Sequence, residues 1–163
     1  MCIVCRAVNR ITRKDRYPLP HIDKVVQPLG GSTYFSHIDS ASGYHQIRFC
    51  GSNCQKTGFS TKYGLYECTV LPRGLANAFS LFMRVMNRLV TSHPGLCDFA
   101  AVDLEDESIH SSISEEHLDH VRNVLDLWQN AGLKLKRSKL EWFLDDIEFG
   151  GNQIKQERVH MLD

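Results

Sequence analysis

Short runs of alternating apolar and polar residues in the first half of the chain predict strands. They cover residues 1–5, 34–39, 44–49, 59–61 and 66–71, with turn residues between them. Residues 6–20 are basic and end in two X-Pro steps. Because each proline disfavours helix at the residue before it, this segment is predicted to be extended. A short helix is predicted over 21–27, since Pro28 and Gly30–Gly31 stop it.

The second half of the chain shows helical periodicity. A helix is predicted over about 76–90, where one apolar stripe contains Phe79, Phe82, Met86 and Leu89. Ser112 followed by Glu115 resembles a capping box for a second helix that ends near Gly132. Its predicted apolar face carries Leu118, Val121, Leu125 and Trp128. Strands are predicted over 99–102, 133–136, 141–144 and 146–149. This order favours an α+β fold with hairpins over a regular βαβ alternation.

Length and composition are typical of a single globular domain. The 163 residues predict one domain, and 42% hydrophobic with 23% charged residues is typical of a globular chain. No apolar run is long enough to span a bilayer, and no secretion signal begins the chain, so we expect an intracellular protein, cytoplasmic or nuclear. Nineteen basic and nineteen acidic residues cancel, which argues weakly against nucleic-acid binding.

The distribution of charge is more informative than its sum. Basic residues concentrate in 6–16 and in 134–139, whereas 98–119 holds eight acids and no Lys or Arg. Basic flanks around an acidic centre suit a polymerase, although ordinary solvated faces give the same pattern. Six cysteines without a secretion signal are expected to be free thiols. A zinc site at Cys2, Cys5, Cys50 and Cys54 is a weaker alternative, because strand residues three apart face opposite sides.

Candidate chemistry lies at two strand ends. Asp39 ends the apolar run 34–39, and Asp103-Leu104-Glu105-Asp106 follows the apolar run 99–102. An acid at the end of a buried strand is costly unless it is paired or binds metal. If the two strands are neighbours, their carboxylates could share two divalent ions for phosphoryl transfer. Isolated acids at strand ends are more often turn residues, so spacing alone leaves both readings open.

Six blocks of sequence resemble the reverse transcriptase of gypsy-type LTR retrotransposons. They lie in family order at 34–47 (YFSHIDSASGYHQI), 56–59 (KTGF), 63–67 (YGLYE), 71–78 (LPRGLANA), 116–120 (EHLDH) and 131–135 (AGLKL). Asp103–Asp106 falls where the family has Tyr-Leu-Asp-Asp, and Phe149-Gly150-Gly151 completes the series. The resemblance implies the partial fingers and the palm of a reverse transcriptase, with an antiparallel sheet packed on helices.

The resemblance also implies a role for individual residues. Asp39, Glu105 and Asp106 would be catalytic and would hold two Mg²⁺ ions. The nucleotide would be bound by Tyr44, as a steric gate against a ribose 2′-hydroxyl, and by Arg73, Gly74 and Lys134. The resemblance places Gly151 in the primer grip, whereas the basic residues Arg10, Arg13, Lys14 and Arg16 are candidates for nucleic-acid binding from their charge. The implied partners are an RNA or DNA template with its primer, dNTPs and the remainder of a Pol polyprotein. No membrane partner is expected.

Departures from the family pattern predict impaired catalysis. Glu105 replaces the second metal-binding Asp, and its extra methylene displaces the carboxylate by about 1.5 Å. Magnesium tolerates little geometric error. Asp103 replaces the family's Tyr, while Glu107 and Ser108 replace large apolar residues, so a charge at Glu107 would face desolvation.

The expected domain is one reverse transcriptase unit over 1–163. Fingers segments 1–33 and 49–74 are inserted with palm segments 34–48 and 75–163, and no thumb or RNase H region is expected. The principal hypothesis is an RNA-directed DNA polymerase domain. Alternatives are a non-catalytic remnant that binds nucleic acid and a small zinc module.

Overall fold

The computed structural model describes residues 3–18, 22–103, 106–155 and 158–161. Helices and strands alternate irregularly within these ranges. The helices are α1 (Arg6–Ile11), α2 (Ile22–Val26), α3 (Gly43–Gln46), α4 (Gly51–Cys54), α5 (Ala78–Thr91) and α6 (Ser114–Asn130). The strands are β1 (Tyr34–Asp39), β2 (Phe59–Thr61), β3 (Gly64–Tyr66), β4 (Ala100–Asp103), β5 (Asp106–Ser111), β6 (Glu141–Leu144), β7 (Asp146–Phe149), β8 (Asn152–Lys155) and β9 (Arg158–Met161). Short 3₁₀ turns cover Gln27–Leu29, Gln55–Thr57, Leu96–Asp98 and Arg137–Lys139.

The central sheet of the described chain has the order β4–β5–β1–β6, and its neighbouring strands are antiparallel. Successive residues of a strand face opposite sides, so the fully buried Phe35 and Ile38 point to different layers. Ile38 joins a core with α5 and α6, whereas Phe35 joins a second core with α2, β7 and β8. The sheet is therefore covered on both faces. The predicted α+β architecture, an antiparallel sheet packed on helices, is confirmed.

Helix α5 packs on the sheet through the stripe that the sequence predicted. Phe82 and Met86 are buried, and Phe79 and Leu89 pack partly buried against the same core. Burying one large apolar side chain contributes about 1.5–3 kcal/mol. This stripe therefore contributes a substantial part of the stability of the α5–sheet contact.

Helix α6 is rotated relative to the prediction. Leu118, expected on the buried face, is 54% exposed, and the buried line runs through His117, Val124 and Trp128 instead. His117 can be buried because Ser36 Oγ and Ser111 Oγ each lie 2.8 Å from one of its ring nitrogens. The predicted capping box is also absent: the hydroxyl of Ser112 donates to the carbonyl of Gly31, and Ile113 precedes the helix without a side-chain cap.

The N-terminal prediction was wrong for residues 6–11, which form α1 rather than extended chain. Proline restrains only the residue before it, so the X-Pro steps at 17–20 do not reach this segment. Arg and Ala favour helix, and Thr12 closes the last turn by donating its N–H and its hydroxyl to the carbonyl of Val8. Residues 3–5 are not a strand; residues 1–2 and 19–21 lie outside the described ranges.

Three other predicted strands differ in the structure. Residues 44–49 contain α3 and a single bridge at Arg48, the strand predicted at 66–71 lies at Gly64–Tyr66, and 133–136 makes only one bridge, at Leu135. The side chain of Gln46 explains much of this. Its amide donates to the carbonyls of Ala41 and Lys134 and accepts from the N–H of Lys134. A side-chain amide thus takes backbone partners that a strand would use.

The remaining predicted elements are confirmed in type, with small shifts of their ends. These are the helix at 21–27, the strands at 34–39, 59–61, 99–102, 141–144 and 146–149, and the helix after residue 112. Among the helices in the described ranges, none is both long and apolar enough to cross a membrane.

Candidate active site

Carboxylates from three adjacent strands lie side by side at one end of the sheet. Asp39 on β1 is the register partner of Asp106 on β5, and Asp106 is also the partner of Asp103 on β4. Directly opposed residues of antiparallel strands have Cα atoms about 4.5–5.5 Å apart and side chains on the same face. The structure therefore brings Asp39 and Asp106 together. Glu105 and Leu104 lie outside the described ranges.

The environments of these acids differ. Asp39 is 8% exposed, whereas the side chain of Asp106 is 56% exposed and lies 3.7 Å from His37 Nε2. Burial raises the pKa of Asp103, and the negative charge of Asp106 raises it further. The row therefore concentrates negative charge, which a bound cation or a basic side chain would relieve.

Lys139 supplies such a cation. Its ammonium group forms an ion pair with Asp39 Oδ2, and the 3₁₀ turn Arg137–Lys139 is tied to β1 where the N–H of Lys136 donates to the carbonyl of Asp39. The resemblance implies Lys134 for the nucleotide instead. Lys134 lies at the bridge next to Gln46 and is not part of the cavity wall. No signal in the sequence separated Lys139 from the other basic residues of 134–139.

A cavity of about 490 Å³ opens beside the paired acids. Its wall contains five of the residues nominated from the sequence, together with Lys139 and an apolar side. The lining residues are Asp39, Tyr44, Arg73, Gly74, Leu75, Ala78, Phe79, Asp106 and Lys139. Acids and bases thus face one another across a space large enough for a small ligand.

An aromatic stack forms one side of the cavity. The ring of Tyr44 lies on that of Phe82 at 4.8 Å with an interplanar angle of 19°. The guanidinium carbon of Arg73 lies 5.6 Å from the centre of the Tyr44 ring, within cation–π range. Because Phe82 is buried in the core, this stack fixes the Tyr44 ring at the cavity wall.

The loop around Gly74 is held by an asparagine that the sequence reasoning missed. Asn9 Nδ2 donates to the carbonyl of Gly74, and Asn9 Oδ1 accepts from the N–H of Ala76, both at 2.7 Å. Gly74 has φ +97°, a conformation that other residues rarely adopt. The N–H of Ala76 is thus occupied, and that of Ala78 donates to the carbonyl of Leu75. These two N–H groups before α5 are not directed at an anion.

The basic residues nominated for nucleic acid are exposed and partly grouped. Arg13, Lys14 and Arg16 line one surface depression, and Arg10 lies in the last turn of α1. Asn77 anchors this segment, because its amide donates to the carbonyl of Arg13 and accepts from the N–H of Asp15. Gly151 lies in the β7–β8 turn with φ +74° and does not border the cavity.

Glu107 lies on the opposite face of β5 from the acid row and is only 2% exposed. It accepts hydrogen bonds from Ser40 Oγ at 2.8 Å and from Trp128 Nε1 at 3.0 Å. Burial raises the pKa of Glu107 to about 8; nearby Asp39 and Asp106 raise it too, and the two hydrogen bonds oppose the rise. At neutral pH this acid is therefore protonated, which agrees with the desolvation expected at this position.

Buried histidines form a second polar cluster behind the sheet. Burial lowers the pKa of His110 and of His117 to about 4, and the charge of His120 lowers both further. Ser111 Oγ contacts both His117 Nδ1 and His120 Nδ1, and the His120 ring stacks on Phe99. The ring atom His110 Nε2 is buried without a hydrogen-bond partner in the described part of the chain.

Across residues 3–18, 22–103, 106–155 and 158–161, no group of three or more His, Cys, Asp or Glu side chains is placed to hold a metal ion. The zinc alternative therefore has no support from Cys5, Cys50 and Cys54, and Cys2 lies outside the described residues.

Comparison with known proteins gives a consistent result. The family model "Reverse transcriptase (RNA-dependent DNA polymerase)" matches residues 1–162. The Pol polyprotein of transposon 297 from Drosophila melanogaster is 38% identical over 154 residues, 94% of this chain and 14% of that polyprotein. That of transposon gypsy from the same organism is 34% identical over 152 residues, 93% of this chain and 14% of that polyprotein.

A third relative is shorter. The RNA-directed DNA polymerase homolog of Oenothera berteroana is 37% identical over 127 residues, covering 76% of this chain and 88% of that protein. The chain thus spans only a small part, 14%, of each of the two Drosophila polyproteins.

Solved structures share the fold. The foamy viral protease-reverse transcriptase in complex with an RNA/DNA hybrid superposes with a TM-score of 0.85 at 23% identity, covering 98% of this chain and 21% of that one. A second structure of that enzyme, in complex with double-stranded DNA, gives 0.85 at 23% identity, covering 96% and 27%. With a family model that spans nearly every residue, the chain belongs to the reverse transcriptase (RNA-dependent DNA polymerase) family, in the branch found in retrotransposon Pol polyproteins.

Proposed function

We propose that the acid row and its cavity form the nucleotidyl-transfer site of a retrotransposon reverse transcriptase, and that this site is impaired. The observation that carries the proposal is the register pairing of Asp39 with Asp106 beside a cavity that also contains Tyr44, Arg73 and Lys139. In the proposed reaction, the 3′-hydroxyl of a primer attacks a dNTP and releases pyrophosphate.

The donor set suits magnesium. Mg²⁺ is commonly bound by one or two carboxylates together with substrate phosphates, and Asp39 and Asp106 are two carboxylates at one cavity. When bound, a pair of such ions lowers the pKa of the attacking hydroxyl and neutralises charge on the phosphates. Glu105 is proposed as a further ligand. The role of the chain's acids is to hold the cations and to fix where the triphosphate lies.

The remaining cavity residues would position the nucleotide. Arg73 and Lys139 contribute two positive charges to the cavity wall, where they would attract a triphosphate. Tyr44, fixed by its stack on Phe82, would lie under the sugar and reject a 2′-hydroxyl. Lys134 remains a candidate for the triphosphate by resemblance, but the geometry favours Lys139.

Nucleic acid would be held by the exposed basic segment that contains Arg10, Arg13, Lys14 and Arg16. Such contacts release counterions, so the binding would weaken steeply with salt. The related foamy viral structures contain an RNA/DNA hybrid and double-stranded DNA, which is the class of partner proposed here. Gly151 is proposed to contact the primer, and residues 1–33 with 49–74 are proposed as the fingers part of the domain.

Impairment follows from the chemistry of the hairpin between β4 and β5. A Glu at position 105 extends the carboxylate by about 1.5 Å relative to an Asp, and misplacements of about 1 Å can reduce rates roughly a hundredfold. Asp103 adds a partly buried acid beside Asp106. Both substitutions disturb the charge and the geometry that two ions require.

The test is primer extension on an RNA template with Mg²⁺. We expect the wild-type chain to extend at background level, and Glu105→Asp combined with Asp103→Tyr to restore synthesis. Both should be assayed alone and fused to the thumb of a related reverse transcriptase, with Asp39→Asn as the inactive control. Robust synthesis by the wild-type chain would disprove the impairment. Failure of the fused double variant would mean that the damage extends beyond the hairpin.

A second candidate function is nucleic-acid binding without synthesis. It is favoured by the grouping of Arg13, Lys14 and Arg16, which does not depend on the acid row. We expect binding of an RNA–DNA hybrid in low salt, with a salt dependence that decreases when these residues are changed to Gln. Absence of binding at low ionic strength would remove this function.

A further inference from the structure

A second cavity, which we call the α1 crevice, lies between α1 and the loop that holds Gly74. Its volume is about 390 Å³, within the range of small-molecule sites. Its walls come from α1 and the residues after it, from segment 49–57, and from segment 71–84. Neither Asp39 nor Asp106, the proposed catalytic acids in the described ranges, lines it.

The interior of the α1 crevice is apolar. Phe49, Leu71, Leu75 and Leu81 line it together with Val8 from α1. At about 25 cal/mol per Å² of apolar surface removed from water, a ligand of one or two rings would gain most of its affinity here. This part of the crevice therefore favours an apolar ligand body, and any polar group of the ligand would be recognised at the rim.

The rim has an excess of hydrogen-bond donors and of positive charge. Arg84 is already neutralised by Asp15 at 2.5 Å. Lys56 instead donates to an uncharged group, Asn53 Oδ1, at 2.7 Å. Among the described residues, no other acceptor is found for the Lys56 ammonium group. Its remaining N–H groups can therefore bind an oxyanion.

We propose that the α1 crevice binds a small amphipathic anion, with an aromatic or aliphatic body against Phe49, Leu71 and Leu81 and one carboxylate, sulfonate or phosphate at Lys56. The chemistry of the two halves selects both parts of the ligand. A neutral molecule of the same shape fills the interior but leaves the donors of the rim without acceptors.

The α1 crevice and the catalytic cavity share part of their walls. Leu75 and Ala78 line both cavities. The same loop is held to α1 by the amide of Asn9, which bonds Gly74 and Ala76. A ligand in the α1 crevice would therefore contact residues that also border the nucleotide site, without touching Asp39 or Asp106.

A matched pair of probes tests the site. The anion 1-naphthylacetate and its neutral analogue 1-naphthylacetamide are titrated into ¹⁵N-labelled chain while amide signals are followed by NMR. We expect both to shift signals of Leu75 to Ala78. The anion should bind about tenfold more tightly, the factor that one hydrogen bond to a charged group typically contributes.

Two lysine variants distinguish binding of the anion at the rim of the crevice from general attraction to positive charge. Lys56→Gln should reduce the anion's affinity to that of the amide, whereas Lys62→Gln, at an exposed lysine outside the crevice, should change neither. Because Lys56 is exposed, its substitution should not disturb folding. Equal affinities for the two probes, equal effects of the two variants, or shifts confined to other regions would each overturn the proposal. None of these readouts depends on polymerase activity, so failure here is distinct from failure of the proposed function.

Discussion

Replacing Glu107 with Gln should stabilise the chain at alkaline pH. The Ser40 hydroxyl donates to Glu107 Oε1, and Trp128 Nε1 donates to Oε2. Trp128 can only donate, so in the neutral acid the proton lies on Oε1, and the Ser40 hydroxyl rotates to accept it. The amide of the variant reproduces this arrangement, since its oxygen accepts from Trp128 and its NH₂ donates to Ser40. Glu107→Gln therefore keeps both hydrogen bonds and removes the group that can ionise.

The magnitude follows from the pKa of Glu107, which burial raises from 4.5 to about 8. Between these two pH values the folded chain keeps a proton that the unfolded chain releases, so the stability of the wild type falls as the pH rises. Each tenfold change in a dissociation constant corresponds to about 1.36 kcal/mol. The full loss is therefore up to roughly 5 kcal/mol, of which about 2 kcal/mol falls between pH 6.5 and 8.

The assay is urea unfolding of wild type and variant from pH 6.5 to 9, where the buried histidines change the stability little, in buffer with a chelator so that no metal binds the neighbouring acids. The wild type should lose stability above pH 6.5, and Glu107→Gln should stay nearly flat. The exposed Glu148→Gln serves as the control and should follow the wild type. Parallel curves for wild type and Glu107→Gln would refute a buried, protonated Glu107.

Two further predictions concern the parts that support the site. In Glu107→Gln, where the opposing titration of Glu107 is absent, stability should fall as the pH falls from 6.5 to 4, by up to about 3 kcal/mol for His117, because the unfolded chain takes up a proton that the buried ring resists. Thermal unfolding of this variant should show the loss, and a curve that stays flat in acid would contradict it. Asn9→Ala should cost about 1–2 kcal/mol of unfolding free energy and should speed hydrogen exchange at Ala76, because two hydrogen bonds are lost. The control variant, Asn123→Ala at an exposed position, should change neither the unfolding free energy nor the exchange rate at Ala76. An unchanged exchange rate at Ala76 in Asn9→Ala would show that the two hydrogen bonds of Asn9 are not needed to hold this loop.

Sequence periodicity correctly predicted the helices and strands that bury one apolar face in the core. The stripe of α5 and the strand that ends at Asp39 follow directly from spacing, because one face of each is buried in the core. The pairing of Asp39 with Asp106 could be anticipated only as a possibility, since spacing does not state which strands are neighbours. The resemblance to reverse transcriptases supplied that link.

Polar side chains account for most of what the sequence did not predict. Gln46 replaces strand hydrogen bonds with its own amide, and His117 occupies a buried position because two serines satisfy its ring. Asn9 and Lys139 act across long sequence separations, so nothing near them along the chain indicates their partners. Such contacts depend on tertiary structure and leave no periodic signal.

Paramagnetic Mn²⁺ titrated into ¹⁵N-labelled chain tests the central claim most directly, because it broadens the amide signals near a bound ion. We predict that signals of residues next to Asp39 and Asp106 disappear first, that Asp39→Asn abolishes this loss, and that Asp146→Asn, on β7, leaves it unchanged. First losses elsewhere in the chain, or an identical pattern in Asp39→Asn, would contradict a divalent-cation site built from these two acids.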